Sequence, residues 1–94
     1  MTSALALRRT VEIVNARGLH ARASAKFVKT AAQFDAEVKV TRDSQTVDAQ
    51  SIMGLMMLGA GPGAEIEISA EGPEAEAALD SLAQLIADRF NEDR

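Results

Sequence analysis

Glu65-Ile66-Glu67-Ile68-Ser69-Ala70 alternates polar and apolar residues. Side chains of a strand repeat every second residue, so Ile66, Ile68 and Ala70 would face a core and Glu65, Glu67 and Ser69 would face water. Glu37-Val38-Lys39-Val40-Thr41 has the same pattern. Asp43-Ser44 supplies a turn after it, and Thr46-Val47-Asp48-Ala49 is the returning strand. Val11-Glu12-Ile13 alternates as well, and Leu5 and Leu7 share its parity, which extends that strand towards the N-terminus. Strands of this kind build an antiparallel sheet with one wet face and one face that needs a cover.

The segments between the strands supply the cover. Ala21 to Phe34 reads as a helix, with Phe27, Val28, Ala31 and Phe34 towards the core, Lys26 and Lys29 outward, and Asp35 as its stop. Ser51 precedes a short apolar helix, Ile52-Met53-Gly54-Leu55-Met56-Met57-Leu58, which runs into the break Gly59-Ala60-Gly61-Pro62-Gly63. Pro73 opens a last helix, where a missing N–H costs nothing. Ala75, Leu79, Leu82 and Ile86 form its stripe, widened by Leu85 and Phe90, and it extends to about Asn91. The order is β-α-β-β-α-β-α. This predicts an α+β fold, a two-layer open-faced sandwich with a four-stranded, mostly antiparallel sheet and three helices on one face.

The chain has 94 residues, which suits one domain over residues 1–94. Apolar residues are 47% and charged residues 26%, an ordinary globular balance that argues against disorder. Aromatics are 3%, all Phe, which counts against a platform that stacks single-stranded bases. A net charge of −4 counts against a general nucleic-acid binder. There is no cysteine and one histidine, so neither a disulfide framework nor a His/Cys zinc centre is expected, and no cofactor is implied. No apolar run approaches the ~20 residues of a membrane span, and the N-terminus lacks the charge order of a secretory signal. The chain reads as cytoplasmic, without membrane insertion.

Charge is uneven along the chain. Residues 1–47 carry eight Lys and Arg against four acids, whereas residues 48–94 carry two against ten. The bland reading is solvated faces that differ. The sharper one is a local positive site between Arg17 and Lys29 on an acidic protein, suited to a small anion or an acidic partner.

Gly18-Leu19-His20-Ala21-Arg22 puts the only histidine where a turn, Asn15 to Gly18, becomes a helix. A helix start offers unpaired N–H groups and partial positive charge, which together attract anions. That field favours a neutral imidazole with a lone pair free for attack. A phosphoryl group on His20 would lie against those N–H groups, beginning with that of Ala21. Arg22 could add a charge-assisted fork to its oxygens, and Arg17 precedes the site. On residue type and position alone, a lone histidine before a helix is more often a cap or a surface residue.

Those residues resemble the active-site signature of HPr, the histidine-containing phosphocarrier of the bacterial phosphotransferase system. Ser51-Ile-Met-Gly-Leu-Met-Met-Leu-Gly59 resembles the second signature of that family, a regulatory serine followed by a short apolar helix. The separation of the two motifs matches, and the likeness runs from about Thr10 to Ala87. Three positions depart from the commonest pattern: Ala23 stands for the usual Pro, Arg17 for a small polar residue, and Gln50 for a frequent Lys. These changes look like proteobacterial chains of the nitrogen-regulatory type.

The resemblance implies that His20 takes a phosphoryl group on Nδ1 from enzyme I and hands it to a IIA protein or domain. It makes the chain a carrier with no cofactor, rather than an enzyme, and a monomer. Arg22 would stabilise the phosphate. Ser51, which also reads as a helix N-cap, would be the site of an HPr kinase/phosphorylase in hosts that have one. Ile52, Met53 and Met56 share a face, and placement beside the histidine in the family makes them a docking patch ringed by Arg22 and Lys29. Two other classes remain. A small-molecule-sensing α+β module fits the core order but leaves His20, Arg22 and the third helix unexplained. A binding-only paralogue of HPr would lack the histidine that this chain keeps.

Overall fold

The structure, a computed structural model, describes residues 6–94. The expected start of the first strand at Leu5 lies outside them. Four strands, β1 (Leu7–Glu12), β2 (Glu37–Arg42), β3 (Gln45–Asp48) and β4 (Glu65–Glu71), form one sheet in the order β1-β4-β2-β3. Every pairing is antiparallel. Helices α1 (Ala21–Ala31), α2 (Ile52–Met57) and α3 (Ala75–Ala87) lie between and after them. The open-faced α+β sandwich expected from the alternation is the fold observed.

The alternating strands set which face is covered. Ile66, Ile68 and Ala70 of β4 meet Val38 and Val40 of β2 under the helices, and all are buried. Phe27 of α1, Leu55 of α2 and Leu79, Leu82 and Ile86 of α3 close the core from above. Each of these large side chains contributes about 1.5–3 kcal/mol by leaving water. Arg9 shares the inward parity of β1, and it escapes burial at the sheet edge by pairing with Asp80 of α3 at 2.8 Å. Six residues make α2 too short to persist alone, so Leu55, Leu58 and its cap hold it.

Several local expectations change. The first helix ends at Ala31 instead of Phe34. Glu74 intercepts the chain beyond it: Asp35 N–H donates to Glu74 Oε1 at 2.7 Å, and Glu74 N–H donates to Asp35 O at 3.0 Å. Phe34 still packs on the core from this tighter turn. Pro73 sits in the turn before α3, whose N-cap is Glu74. Finally, α3 stops at Ala87, and a single 3-10 turn, Arg89–Asn91, follows.

That last turn is left-handed. Arg89, Phe90 and Asn91 have φ of 58°, 54° and 61°, and none is glycine. Such backbone costs roughly 1–2 kcal/mol per residue for an L side chain, least for Asn. Full burial of the Phe90 ring and a 2.6 Å hydrogen bond from Lys26 Nζ to Phe90 O offset that cost. Lys26 is therefore half-buried under the returning chain rather than outward, while Lys29 is exposed as expected.

Gly18 fixes the other side of this end of the molecule. Its φ is +63°, and a Cβ there would lie 2.3 Å from Ala60 O and 2.8 Å from Gly61 Cα. Gly18→Ala should therefore cost about 2–4 kcal/mol, from left-handed strain and backbone overlap together. For a domain of this size that is a fall in melting temperature of roughly 10–30 °C. A thermal melt that leaves the midpoint unchanged would contradict the close approach.

Candidate functional site

The loop that enters α1 is held from three directions. Leu19, buried, donates its N–H to Ala60 O at 3.0 Å. Gly18 N–H donates to Asn15 O at 3.2 Å, while Asn15 Nδ2 donates to Gly18 O at 2.9 Å. The buried Ser24 hydroxyl donates to Leu19 O at 3.2 Å. His20 follows in extended conformation as the N-cap of α1, and its carbonyl accepts Ser24 N–H at 2.9 Å.

The two ring nitrogens of His20 have different partners. Nδ1 accepts the backbone N–H of Arg22 at 3.3 Å, so the imidazole is a side-chain cap. Nε2 meets Glu92 Oε2 at 2.5 Å. An acceptor at Nδ1 and a carboxylate at Nε2 together assign the proton to Nε2, leaving the lone pair on Nδ1. The other oxygen of Glu92 accepts Asn15 Nδ2 at 3.1 Å. Asn15 is fully buried, and its Oδ1 has no hydrogen-bond partner.

Burial alone would raise the Glu92 carboxyl. Hydrogen bonds from His20 and Asn15, with the positive charge of nearby Lys26, outweigh it and hold the group below the ordinary glutamate value. Glu92 is thus a carboxylate at neutral pH. The His20 side chain is only 15% exposed. A shallow relay site would be more open, and the returning C-terminal segment is what covers the ring.

Beside the ring lies an open cleft of about 500 Å³, with Arg17, Arg22 and Lys26 along one wall and Asn91 to Arg94 along the other. The cleft thus brings together Arg22 and Arg17 from the sequence-predicted set, and His20 adjoins it through its bonds to Arg22 N–H and Glu92, with Ala21 as the first helical residue. Lys29 stands exposed in the last turn of α1, outside the cleft lining. Ser51 is the N-cap of α2 as expected, its Oγ accepting Gly54 N–H at 2.9 Å. That helix packs on α1 and presents Ile52, Met53 and Met56 to solvent. Met57, 68% exposed, belongs to the same apolar surface and was not singled out by periodicity.

Glu92, Asn15 and Lys26 are the site residues that sequence reasoning misses. Asn15 reads as a turn residue and Lys26 as a solvated one. No spacing rule connects position 92 to position 20, because the contact depends on the left-handed turn that reverses the chain after α3.

Comparison with known proteins gives the same identity from a different direction. The family profile described as the PTS HPr component phosphorylation site matches residues 7–88. Phosphocarrier protein HPr of Cupriavidus necator is 49% identical over 86 residues, 92% of this chain and 97% of that protein. Phosphocarrier protein NPr of Shewanella violacea is 41% identical over 86 residues, 92% of this chain and 94% of that protein. Among solved structures, HPr-C-His from Thermoanaerobacter tengcongensis superposes with a TM-score of 0.89 at 43% identity, covering 94% of this chain and 99% of that one. A profile spanning the whole sheet, relatives that match end to end, and a fold that puts the lone histidine on a helix N-cap leave one conclusion: the chain belongs to the HPr family of phosphocarriers of the phosphotransferase system.

Proposed function

We propose that Nδ1 of His20 is the phosphoryl acceptor, charged by a phosphohistidine of enzyme I and discharged to a histidine of a IIA protein or domain. The observation that carries this reading is the unequal pairing of the ring, with Nε2 occupied by Glu92 and Nδ1 aimed at the start of α1. In transfer, the Nδ1 lone pair forms the new N–P bond. The donor N–P bond breaks and its electron pair returns to the donor ring, so no proton is gained or lost overall. Attack uses the lone pair that accepts Arg22 N–H, so that weak contact breaks as the N–P bond forms and the N–H is free to donate to the phosphoryl oxygens. Arg22 and Arg17, on the wall of the cleft, supply charge to the same oxygens. Two nitrogens of similar phosphoryl affinity need positioning more than strong binding, and a helix end supplies modest, fixed stabilisation.

Ile52, Met53 and Met56 supply the partner-docking surface, with Lys29 as a cationic rim on the neighbouring helix. Ser51 tunes that docking and takes no part in the chemistry. A phosphate there adds about −1.5 to −2 charge beside an apolar contact, which an acidic partner surface would resist. The chain acts as a monomeric cytoplasmic carrier. No helix among the described residues is long and apolar enough to cross a membrane.

Incubation with enzyme I, phosphoenolpyruvate and magnesium should add one acid-labile phosphate to the wild-type protein, read by intact mass. His20→Ala should take up none while keeping its fold. A His20→Ala protein that still gains acid-labile phosphate would falsify the assignment.

Arg22→Ala should slow transfer roughly ten- to a hundred-fold. Charge-assisted contacts are worth about 1.5–3 kcal/mol, and each ~1.4 kcal/mol is a factor of ten. Rapid-quench rates equal to wild type in both directions would remove the Arg22 guanidinium from the phosphate site.

Ser51→Asp should raise the apparent KM for enzyme I with little loss of maximal phosphorylation. Ser51→Ala should lose about 1 kcal/mol of cap stability and transfer nearly normally. A steady-state titration of enzyme I decides the matter: an unchanged KM for Ser51→Asp, or abolished transfer in Ser51→Ala, contradicts the separation of roles.

A further inference from the structure

We propose that Glu92 is a positioning residue for phosphoryl transfer: it fixes the His20 ring with Nδ1 towards the helix start, and it neutralises the positive charge the ring acquires when phosphorylated. The inference rests on His20 being the acceptor and concerns the opposite edge of the same ring.

Four observations carry it. Both oxygens of Glu92 are committed, Oε2 to His20 Nε2 at 2.5 Å and Oε1 to Asn15 Nδ2 at 3.1 Å. Asn15 is itself immobilised, fully buried and bonded to Gly18 O, so the carboxylate is held in orientation as well as in place. Among the described residues His20 is the ion-pair partner of Glu92, while the nearby cation Lys26 hydrogen-bonds Phe90 O and acts on the carboxylate through its field alone. The tail is already anchored by the buried Phe90 ring and by that lysine, so the Glu92 contact is not needed to hold it down.

Phosphoryl transfer changes the charge on the ring. The attacking form of the ring is neutral, with its proton on Nε2. The Nδ1 lone pair forms the bond to phosphorus as the donor N–P bond breaks, and the Nε2 proton stays where it is. The ring is left as an imidazolium between a phosphoryl group at Nδ1 and the Glu92 carboxylate at Nε2. The carboxylate therefore interacts more strongly with the product and with the transition state than with the resting carrier, which is the condition for raising rate as well as orienting the ring. Asn15 and Glu92 act on His20 as a carboxylate acts on the imidazole of a hydrolytic triad, by orientation and charge without taking the proton.

The test compares wild-type protein with Glu92→Ala and Glu92→Gln, each phosphorylated by enzyme I and phosphoenolpyruvate. Expected for Glu92→Ala is about a tenfold fall in the transfer equilibrium towards the carrier and in maximal rate, with the KM for enzyme I unchanged, as for loss of one charge-assisted contact. Glu92→Gln keeps an acceptor for Nε2–H but no charge, so it should restore ring orientation without restoring the equilibrium. The Nε2 proton resonance of the phosphoprotein should be downfield and slow to exchange in wild type, and lost in Glu92→Ala. Equal equilibrium constants and maximal rates in all three proteins, each carrying phosphate on His20, overturn the role of Glu92 alone. Absence of acid-labile phosphate from wild-type His20 overturns the acceptor assignment and this inference with it.

Discussion

Leu19 reaches Ala60 across a gap that leaves no room for a side chain on Gly18. The glycine-rich break after α2 and the turn before α1 are thereby clamped backbone to backbone. The clamp places Leu19 in the core and turns the next residue, His20, towards the C-terminal segment as a helix cap. Ile13 extends it, donating to Ala64 O and accepting from Gly63 N–H at the end of the first strand. The position of the histidine is thus set by main-chain contacts braced by the Asn15 and Ser24 side chains, and the cleft wall of Arg17, Arg22 and Lys26 is built on that frame.

The sheet and its cover were legible because periodicity is a local property. Ile66, Ile68 and Ala70 announced their face from their own neighbours, and they are buried as read. The cap residues were legible for the same reason: Ser51 bonds Gly54 three positions on, and His20 bonds Arg22 two positions on. Helix ends were less so. Phe34 has helical spacing, yet the stop at Ala31 depends on Glu74, which reaches Asp35 from another element. Arg9 looks like an error in the alternation of the first strand until Asp80 of α3 is placed beside it.

What the sequence could not disclose is the tail. A stripe of Leu79, Leu82, Ile86 and Phe90 suggests one continuous helix, and Phe90 is buried as that stripe requires. The route is different: the chain leaves the helix, turns left-handed through three residues, and drops the ring into the core from the far side. Propensity gives no warning, since neither Arg89 nor Phe90 favours that backbone. Tertiary packing overrides local preference here, and the site gains a carboxylate as a result.

The strand order has a consequence for how the chain is made. Leu7 pairs with Ala70 and Val11 with Ile66, so the first strand to leave a ribosome waits for the last before it has a partner. Until then the emerging chain can form α1 and the β2–β3 hairpin, but the inner faces of those elements have only one another for cover. Contacts so distant in sequence slow closure, because loop entropy is lost before burial rewards it. The histidine loop depends on partners that are made after it, since its clamp, the Ala60–Gly63 loop, follows α2 and its carboxylate follows α3. A truncated or stalled chain therefore has its histidine but not its geometry, and competence for transfer becomes a property of the finished molecule alone.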